Sequence, residues 1–314
     1  MRPIRAMLIV NPHATSTTQR RRDLLAHALS AEVRLTVEHT GGRGHAIELA
    51  AKAVESGCKL VVVHGGDGTV NEVVNGIMSR GRGLQAPMLA VVPGGSTNVF
   101  ARALGIEADP TGATEQILQA LTEKQPPCSI SLGLADDRYF TFNAGIGLDA
   151  EVVKAVEEVR ATGRKISNSL HVRKTIRAWR ESDRKHPRLT VQLPDAEPVS
   201  GAHLVFASNV DHWTYWESRP VRTNPQTTSN GGLGVFALTS LRLPTVLRLA
   251  RQLISTGVKG PHSAKLLRAD NVPWVEVTCE RPTGLQVDGD YLGVRETVTF
   301  SSVPDALRVL GPTR

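Results

Sequence analysis

Cysteine is scarce in this 314-residue chain: Cys58, Cys128 and Cys279 are widely spaced and form no CxxC pair. Neither a disulfide framework nor a zinc site is indicated, and a reducing, cytoplasmic location is expected. No apolar stretch has the length that crosses a bilayer as a helix, so no transmembrane segment is predicted. Near the start only residues 7–10 run apolar without interruption, too few for a signal-peptide core. HExxH and other metal spacings, the GxSxG nucleophile elbow and nucleic-acid motifs are all missing, which argues against hydrolase and DNA-binding functions. The P-loop pattern, GxxxxGK followed by Ser or Thr, is missing too, which argues against a P-loop ATPase. No internal repeat or low-complexity tract occurs.

What is present is a globular composition with a basic balance. Hydrophobic residues make up 40% and charged residues 21%, enough for a sizeable core. The net charge of +7 points toward anionic partners such as nucleotides, nucleic acid or acidic membrane surfaces, and charge alone does not choose among them.

Over the first 125 residues, apolar runs at 6–10, 33–37, 60–63 and 88–92 alternate with helical patterns at 19–29, 45–54, 70–77, 97–104 and 114–121. This repeated βα order predicts an open α/β layer. Leu60, Val61, Val62 and Val63 lack alternation, as a strand covered on both faces does. Val70, Val73, Val74 and Ile77 form one helical stripe. From Cys128 onward the pattern changes to strand-like runs at 139–142, 189–193, 203–207, 235–238, 275–279 and 297–300, with helical patterns at 150–159, 168–179 and 244–255. The expected fold class is α/β. An N-terminal open parallel-sheet nucleotide-binding domain (1–127) precedes a mainly antiparallel, β-sandwich-like domain with helical insertions (128–314), whose final residues pack back on the first domain.

Function is most legible in the loops after the first four strands. Strand one leads to Asn11, Pro12, His13, Ala14, Thr15 and Ser16; strand two to Thr40, Gly41, Gly42, Arg43 and Gly44. Strand three leads to Gly65, Gly66, Asp67, Gly68 and Thr69; strand four to Pro93, Gly94, Gly95, Ser96, Thr97 and Asn98. In a parallel sheet all four loops leave by the edge where ligands of α/β folds bind. Glycine admits close backbone approach, hydroxyls add donors, and helix N-termini favour anions, so together the loops read as a phosphate cradle. His13, His45 and His64 lie beside these loops, where loop hydrogen bonding is their expected role. Asp67 among phosphate-binding glycines would repel the ligand unless it also held a cation, which implies a Mg²⁺ contact. Thr69 with Glu72 three residues later also fits a capping box.

The run Gly65-Gly66-Asp67-Gly68-Thr69-Val70-Asn71-Glu72-Val73-Val74-Asn75-Gly76 resembles the signature of the diacylglycerol kinase catalytic domain family. Residues 93–102 resemble its second glycine loop, Asn11-Pro12 its opening motif, and residues 143–150 and 287–290 two further landmarks. The family includes bacterial lipid kinases and sphingosine kinases, with a nucleotide-binding α/β domain, a β-rich domain and an active site between them. The resemblance implies ATP contacts from Asn11, Pro12, His13, Ala14, Thr15, Thr40, Gly65 to Glu72 (including Val70 and Asn71), and Gly94, Gly95, Ser96, Thr97 and Asn98. It also implies that Asp288 and Asp290 handle the acceptor hydroxyl, since a carboxylate can orient a lipid hydroxyl and accept its proton. The other reading of Asp288-Gly289 is a β-turn.

The chain departs from the family where Val99 and Ser131 replace acidic residues, which thins the acidic network around Mg²⁺. Asn230 and Gly234 stand where relatives carry two aspartates of a structural metal site, so no metal is expected there. Residues 160–188 hold ten Lys/Arg, among them Arg164 and Lys165, against Glu181 and Asp183. Within this stretch Val172, Ile176 and Trp179 form one helical stripe and Arg173, Arg177, Arg180 and Arg184 another. Peripheral docking on an anionic inner membrane face is therefore expected, through Arg173, Arg177, Trp179 and Arg180. Trp213, Tyr215 and Trp216 fit either the core or the membrane surface. The function expected is ATP-dependent, Mg²⁺-requiring phosphoryl transfer to a lipid hydroxyl, diacylglycerol first among acceptors. The alternatives are an NAD kinase-like enzyme and a non-catalytic protein that binds lipid and nucleotide.

Overall fold

The computed structural model describes residues 3–15, 18–162, 168–216, 219–228, 230–254 and 260–312. Ser16, Arg164 and Lys165, and the side chain of Trp216, lie outside the described set. The chain divides into two units, Met1–Leu132 with Pro304–Arg314, and Gly133–Val303. The division falls five residues beyond the boundary read from the sequence.

The first unit begins with β1 (Arg5–Val10), α1 (Gln19–Glu32), β2 (Arg34–His39) and α2 (His45–Glu55). It continues with β3 (Leu60–Gly65), α3 (Asp67–Met78), β4 (Met88–Pro93), α4 (Val99–Ala103) and α5 (Pro110–Thr122). Its strands lie in the order β2-β1-β3-β4 and every pair is parallel. β3 is central and buried throughout, which is why Leu60 to Val63 show no alternation. Edge strand β2 leaves Val37 39% exposed. One sheet face, with Leu8, Val10, Leu60, Val62, Ala90 and Val92, packs with Leu25 and Leu29 of α1 and Ile117 of α5, and Leu310 joins this core. Val70, Val73, Val74 and Ile77 are all buried on α3, each worth about 1.5–3 kcal/mol against exposure. A Cβ on Gly76 would strike the Ile47 carbonyl, so glycine here lets α2 and α3 approach closely. Asp109 caps α5 by accepting from the Thr111 and Gly112 N–H groups, and Pro110 opens the helix.

Next come β5 (Cys128–Ala135), β6 (Arg138–Phe140), β7 (Asn143–Gly147), α6 (Leu148–Ala161) and α7 (Asn168–Glu181). β8 (Leu189–Gln192), β9 (Val199–Ala202), β10 (Leu204–Ser208), β11 (Thr214–Trp216) and β12 (Arg219–Val221) come after them. The series closes with β13 (Leu233–Leu238), α8 (Leu243–Ile254), β14 (Leu266–Val272), β15 (Trp274–Val287) and β16 (Asp290–Val309). In the second unit the strands run in the order β14-β13-β10-β7-β15-β16. The pairs β13–β14, β10–β13, β7–β10, β7–β15 and β15–β16 are antiparallel. Ile146, Val205, Val235, Val277, Val298 and Phe300 build its core, with Phe140 edge-on to Phe300 at 6.4 Å between ring centres. The mixed architecture, parallel first and antiparallel after, is the fold class read from the sequence.

Candidate functional site

Because β1, β2, β3 and β4 are parallel, the four loops after them leave by one edge of the first unit's sheet. Side chains and backbone tie these loops together. Asn11 donates from Nδ2 to Thr69 Oγ1 at 2.9 Å and from its backbone N–H to the His64 carbonyl, joining the first loop to the third. The His13 N–H in turn donates to Asn11 Oδ1 at 3.0 Å. Thr40 is buried, and its N–H donates to the Val10 carbonyl.

The third and fourth loops touch backbone to backbone. The Gly94 N–H donates to the Gly65 carbonyl at 2.8 Å. A Cβ on Gly94 would lie 2.9 Å from Gly65 Cα, and one on Gly95 would lie 2.8 Å from Gly66 Cα. Such distances exclude side chains, so this glycine pattern is a packing requirement as much as a phosphate signature. Asn98 sits at φ 49 and closes the fourth loop, accepting from the Gly95 N–H at 2.9 Å and donating to the Gly95 carbonyl at 2.8 Å. Gly66, Asp67, Gly68, Thr69 and Thr97 remain partly accessible and Ser96 is exposed, while Val70, Asn71 and Glu72 are buried. The Asn71 side chain accepts from Asn75 Nδ2 at 3.1 Å.

The capping box expected between Thr69 and Glu72 does not form. α3 begins earlier, at Asp67 with Gly66 as its cap, and Thr69 bonds to Asn11 instead. The Glu72 carboxylate accepts from the Gly44 N–H at 2.8 Å and the Ala46 N–H at 3.2 Å. It thus caps the neighbouring helix α2, where a negative charge is favourable. Asp67 occupies the first turn of α3, and its Oδ1 accepts from the Phe100 N–H at 3.3 Å. His64 is buried with Nδ1 3.1 Å from the Val92 carbonyl, and burial holds its pKa below the ordinary value, favouring a neutral ring protonated on Nδ1.

The second unit holds a different kind of cluster. Asp288 and Gly289, at φ 47 and 82, form the two-residue turn between β15 and β16, where Val287 pairs with Asp290. Two positive φ values are what a type I′ hairpin needs, so the turn reading and the site reading fall on the same residues. Asp288 is only 5% exposed. Its Oδ2 accepts from the Thr141 N–H at 2.7 Å and hydroxyl at 2.8 Å; its Oδ1 accepts from the Phe142 N–H at 3.0 Å and the Asn143 N–H at 3.1 Å. Asp290 is half-buried at the start of β16.

Sequence reasoning did not single out Asp149 or Gln286. Gln286 Nε2 donates to Asp149 Oδ2 at 2.8 Å and Asn143 Oδ1 at 3.0 Å, while its Oε1 accepts from the Gly289 N–H at 2.9 Å. Burial pushes the Asp149 pKa up to about 7, against the lowering effect of the Gln286 amide. The β7–β15 register, with Gln286 opposite Gly145, brings these distant residues together. No local spacing signals it.

Among the described residues, no group of three or more His, Cys, Asp or Glu is arranged to hold a metal ion. At Gly234 a Cβ would collide with Thr227 and Asn224. The Asn224 amide lies there instead, donating to the carbonyls of Val235 and Ala269 and to Asp270 Oδ1 at 2.9–3.1 Å. Asn230 is exposed, Ser131 is buried on β5, and Val99 is buried at the start of α4.

Trp179 does not belong with the exposed arginines of α7. Its indole donates to the Leu241 carbonyl at 2.9 Å, and its ring packs on the cluster holding Phe206, Phe236 and Leu249, with Arg184 stacked 4.5 Å from the ring centre. The aromatic ring is large enough to cover that cluster, and burial overrides its place on the helical stripe. Arg173, Arg177 and Arg180 are exposed, with Arg177 paired to Glu181. Trp213 packs on Phe206, and Tyr215 stacks on His212.

Residues 5–130 match the family described as diacylglycerol kinase catalytic domain. A Chromohalobacter salexigens protein named "Probable lipid kinase YegS-like" is 28% identical over 305 residues, 93% of this chain and 88% of that protein. A Staphylococcus epidermidis diacylglycerol kinase is 36% identical over 138 residues, 43% of this chain and 41% of the relative. The solved structure of a Bacillus anthracis diacylglycerol kinase shares the fold, with a TM-score of 0.68, 18% identity, and coverage of 99% of this chain and 98% of that one. Over residues 5–130, the chain is thus similar to the diacylglycerol kinase catalytic domain family.

Proposed function

We propose that this protein binds ATP with Mg²⁺ on the four-loop edge and transfers the γ-phosphate to a lipid hydroxyl, with diacylglycerol as the acceptor class. The observation that carries the reading is the backbone contact between the third and fourth glycine loops at the N-terminus of α3, where a helix end favours phosphate. The backbone N–H groups of Gly66 to Thr69, with those of Ser96 and Thr97, are the phosphate donors in this reading. Gly94 and Gly95, whose N–H groups bond to the Gly65 carbonyl and Asn98 Oδ1, hold the loops together, and the residues 11–15 and Thr40 border them. Asn71 and Glu72 act as framework, since their side chains are engaged inside the protein.

Asp67 is the residue that would hold Mg²⁺. One carboxylate is enough for an ion that keeps waters and takes its other ligands from phosphates, so the absence of a cage of protein ligands among the described residues fits. When bound, the ion offsets charge on the transferring phosphate. The acceptor hydroxyl falls to the turn of Asp288 and Asp290. Asp288, already accepting four hydrogen bonds, positions the turn, and Asp290 makes the contact with the hydroxyl. Peripheral contact with an anionic inner membrane face through the exposed Arg173, Arg177 and Arg180 would bring the enzyme to its substrate.

The test is transfer of radiolabel from ATP to a panel of lipids, with NAD as a further acceptor. Labelled diacylglycerol, lost with Asp67→Asn and strongly reduced with Asp290→Asn, is the expected result. Labelled NAD in its place, or nucleotide and lipid binding with no transfer at all, would overturn it.

A further inference from the structure

Three exposed apolar side chains of the second unit stand together on α8. Leu243, Leu247 and Ile254 are 51%, 60% and 59% exposed. At 100° per residue they fall within roughly 40° of one another. The adjoining side of the helix does the ordinary work of packing: Leu249 is buried and Val246 joins it against Phe206 and Phe236. The apolar arc of α8 is therefore wider than the core beneath it, and the surplus faces solvent. Arg248 and Arg251 are exposed on the same helix, Arg242 immediately precedes it, and α8 contains no acidic residue. α7 is fastened to the start of this element by the Trp179 bond to the Leu241 carbonyl. It adds Val172 and Ile176, 38% and 47% exposed, with Glu181 as its one acid.

We propose that α8, with α7 fastened to it, is the face by which the protein docks on an anionic bilayer. Leu243, Leu247 and Ile254 enter the boundary between headgroups and acyl chains, and Arg248 and Arg251 meet lipid phosphates. Charge complementarity selects this occupant. An apolar stripe bordered by arginines and free of acids matches a negatively charged interface. A second copy docked through the same patch would set these arginines against their own equivalents. The inference rests on the lipid-kinase reading only for the reason a bilayer should be met; docking itself needs no turnover.

Flotation with phosphatidylglycerol–phosphatidylcholine vesicles, compared with pure phosphatidylcholine, tests it. The unaltered chain should float with the anionic vesicles and only weakly with the neutral ones. Leu243→Gln with Leu247→Gln should lower partitioning roughly tenfold, because binding scales with the apolar area inserted. Arg248→Gln with Arg251→Gln should lower it similarly and flatten its dependence on salt. Both double variants alter exposed positions, and their phosphorylation of a water-soluble short-chain diacylglycerol should equal that of the unaltered chain. Unchanged flotation of both double variants would overturn the proposal. So would a solution mass that falls from oligomer to monomer in the leucine variant, which would mean that another copy covers the face. If the chain phosphorylated no lipid, the kinase reading would fail while flotation still decided the docking face.

Discussion

The loop edge of the first unit and the β15–β16 turn of the second are built on opposite principles. The loop edge is made mostly of backbone: glycines in van der Waals contact, held by Asn11, Glu72 and Asn98. The turn is made of side chains, with one carboxylate gathering four donors and a glutamine relaying to a second carboxylate. A backbone site should fail by steric intrusion and be nearly blind to charge. A side-chain site should fail by charge loss and respond to pH.

The largest effect is expected at the turn. Asp288→Ala leaves four donors without their acceptor in a buried place, at a cost of about 3 kcal/mol or more, read as a lower urea midpoint. A change below about 1 kcal/mol would show that the turn does not depend on this carboxylate. On the loop edge the matched pair is Gly94→Ala and Gly42→Ala. The first puts a methyl 2.9 Å from Gly65 Cα and should cost about 1–3 kcal/mol together with ATP affinity. The second meets nothing within 4 Å and should stay within about 0.5 kcal/mol. Equal behaviour of the pair would sink the backbone-contact account.

Asp149 separates the two regions by pH. Its pKa in the folded state is raised to about 7, so the folded chain binds the proton more tightly than the unfolded chain does. That contribution to stability is greatest at acid pH and declines as pH rises from about 4 toward 7. Asp149→Asn should flatten this decline and stabilise the protein by about 1–2 kcal/mol at pH 8, because the amide oxygen still accepts from Gln286 without the buried charge. Thermal midpoints of the two proteins between pH 4 and pH 8 decide it: parallel curves would refute the assignment. A smaller change is expected for Glu72→Gln, which weakens the cap on α2 by about 1 kcal/mol, read in a urea melt.

The parts of this molecule legible in its sequence are those with local causes. Leu60 to Val63 read as a central parallel strand because both faces are covered, and four strand-then-loop runs, three of them glycine-rich, imply a shared edge. The Asp288-Gly289 hairpin was legible for the same reason. Glu72 was misread because i+3 spacing mimics a capping box, and only the packing of α2 on α3 shows whose N–H groups it meets. Trp179 shares a helical stripe with Val172 and Ile176, yet the cluster around Phe206 takes the tryptophan and leaves the others exposed. Asp149 and Gln286 are 137 residues apart and meet only through strand register, which no spacing rule carries. Small-residue strands such as β7, Asn143–Gly147, gave no alternation to read.

The Asp288-Gly289 turn also bears on how the protein ages. An aspartyl–glycyl bond is the aspartyl sequence most prone to rearrange through a cyclic imide, a reaction in which the glycine nitrogen attacks the aspartate side-chain carbon. Here that nitrogen gives its hydrogen to Gln286 Oε1, and the carboxylate is held by Thr141, Phe142 and Asn143. Neither reacting group can swing toward the other while the turn is folded. Isoaspartate at this bond, read by mass spectrometry after long incubation, should therefore accumulate in denaturant and not in native buffer, making its level a chemical clock for time spent unfolded.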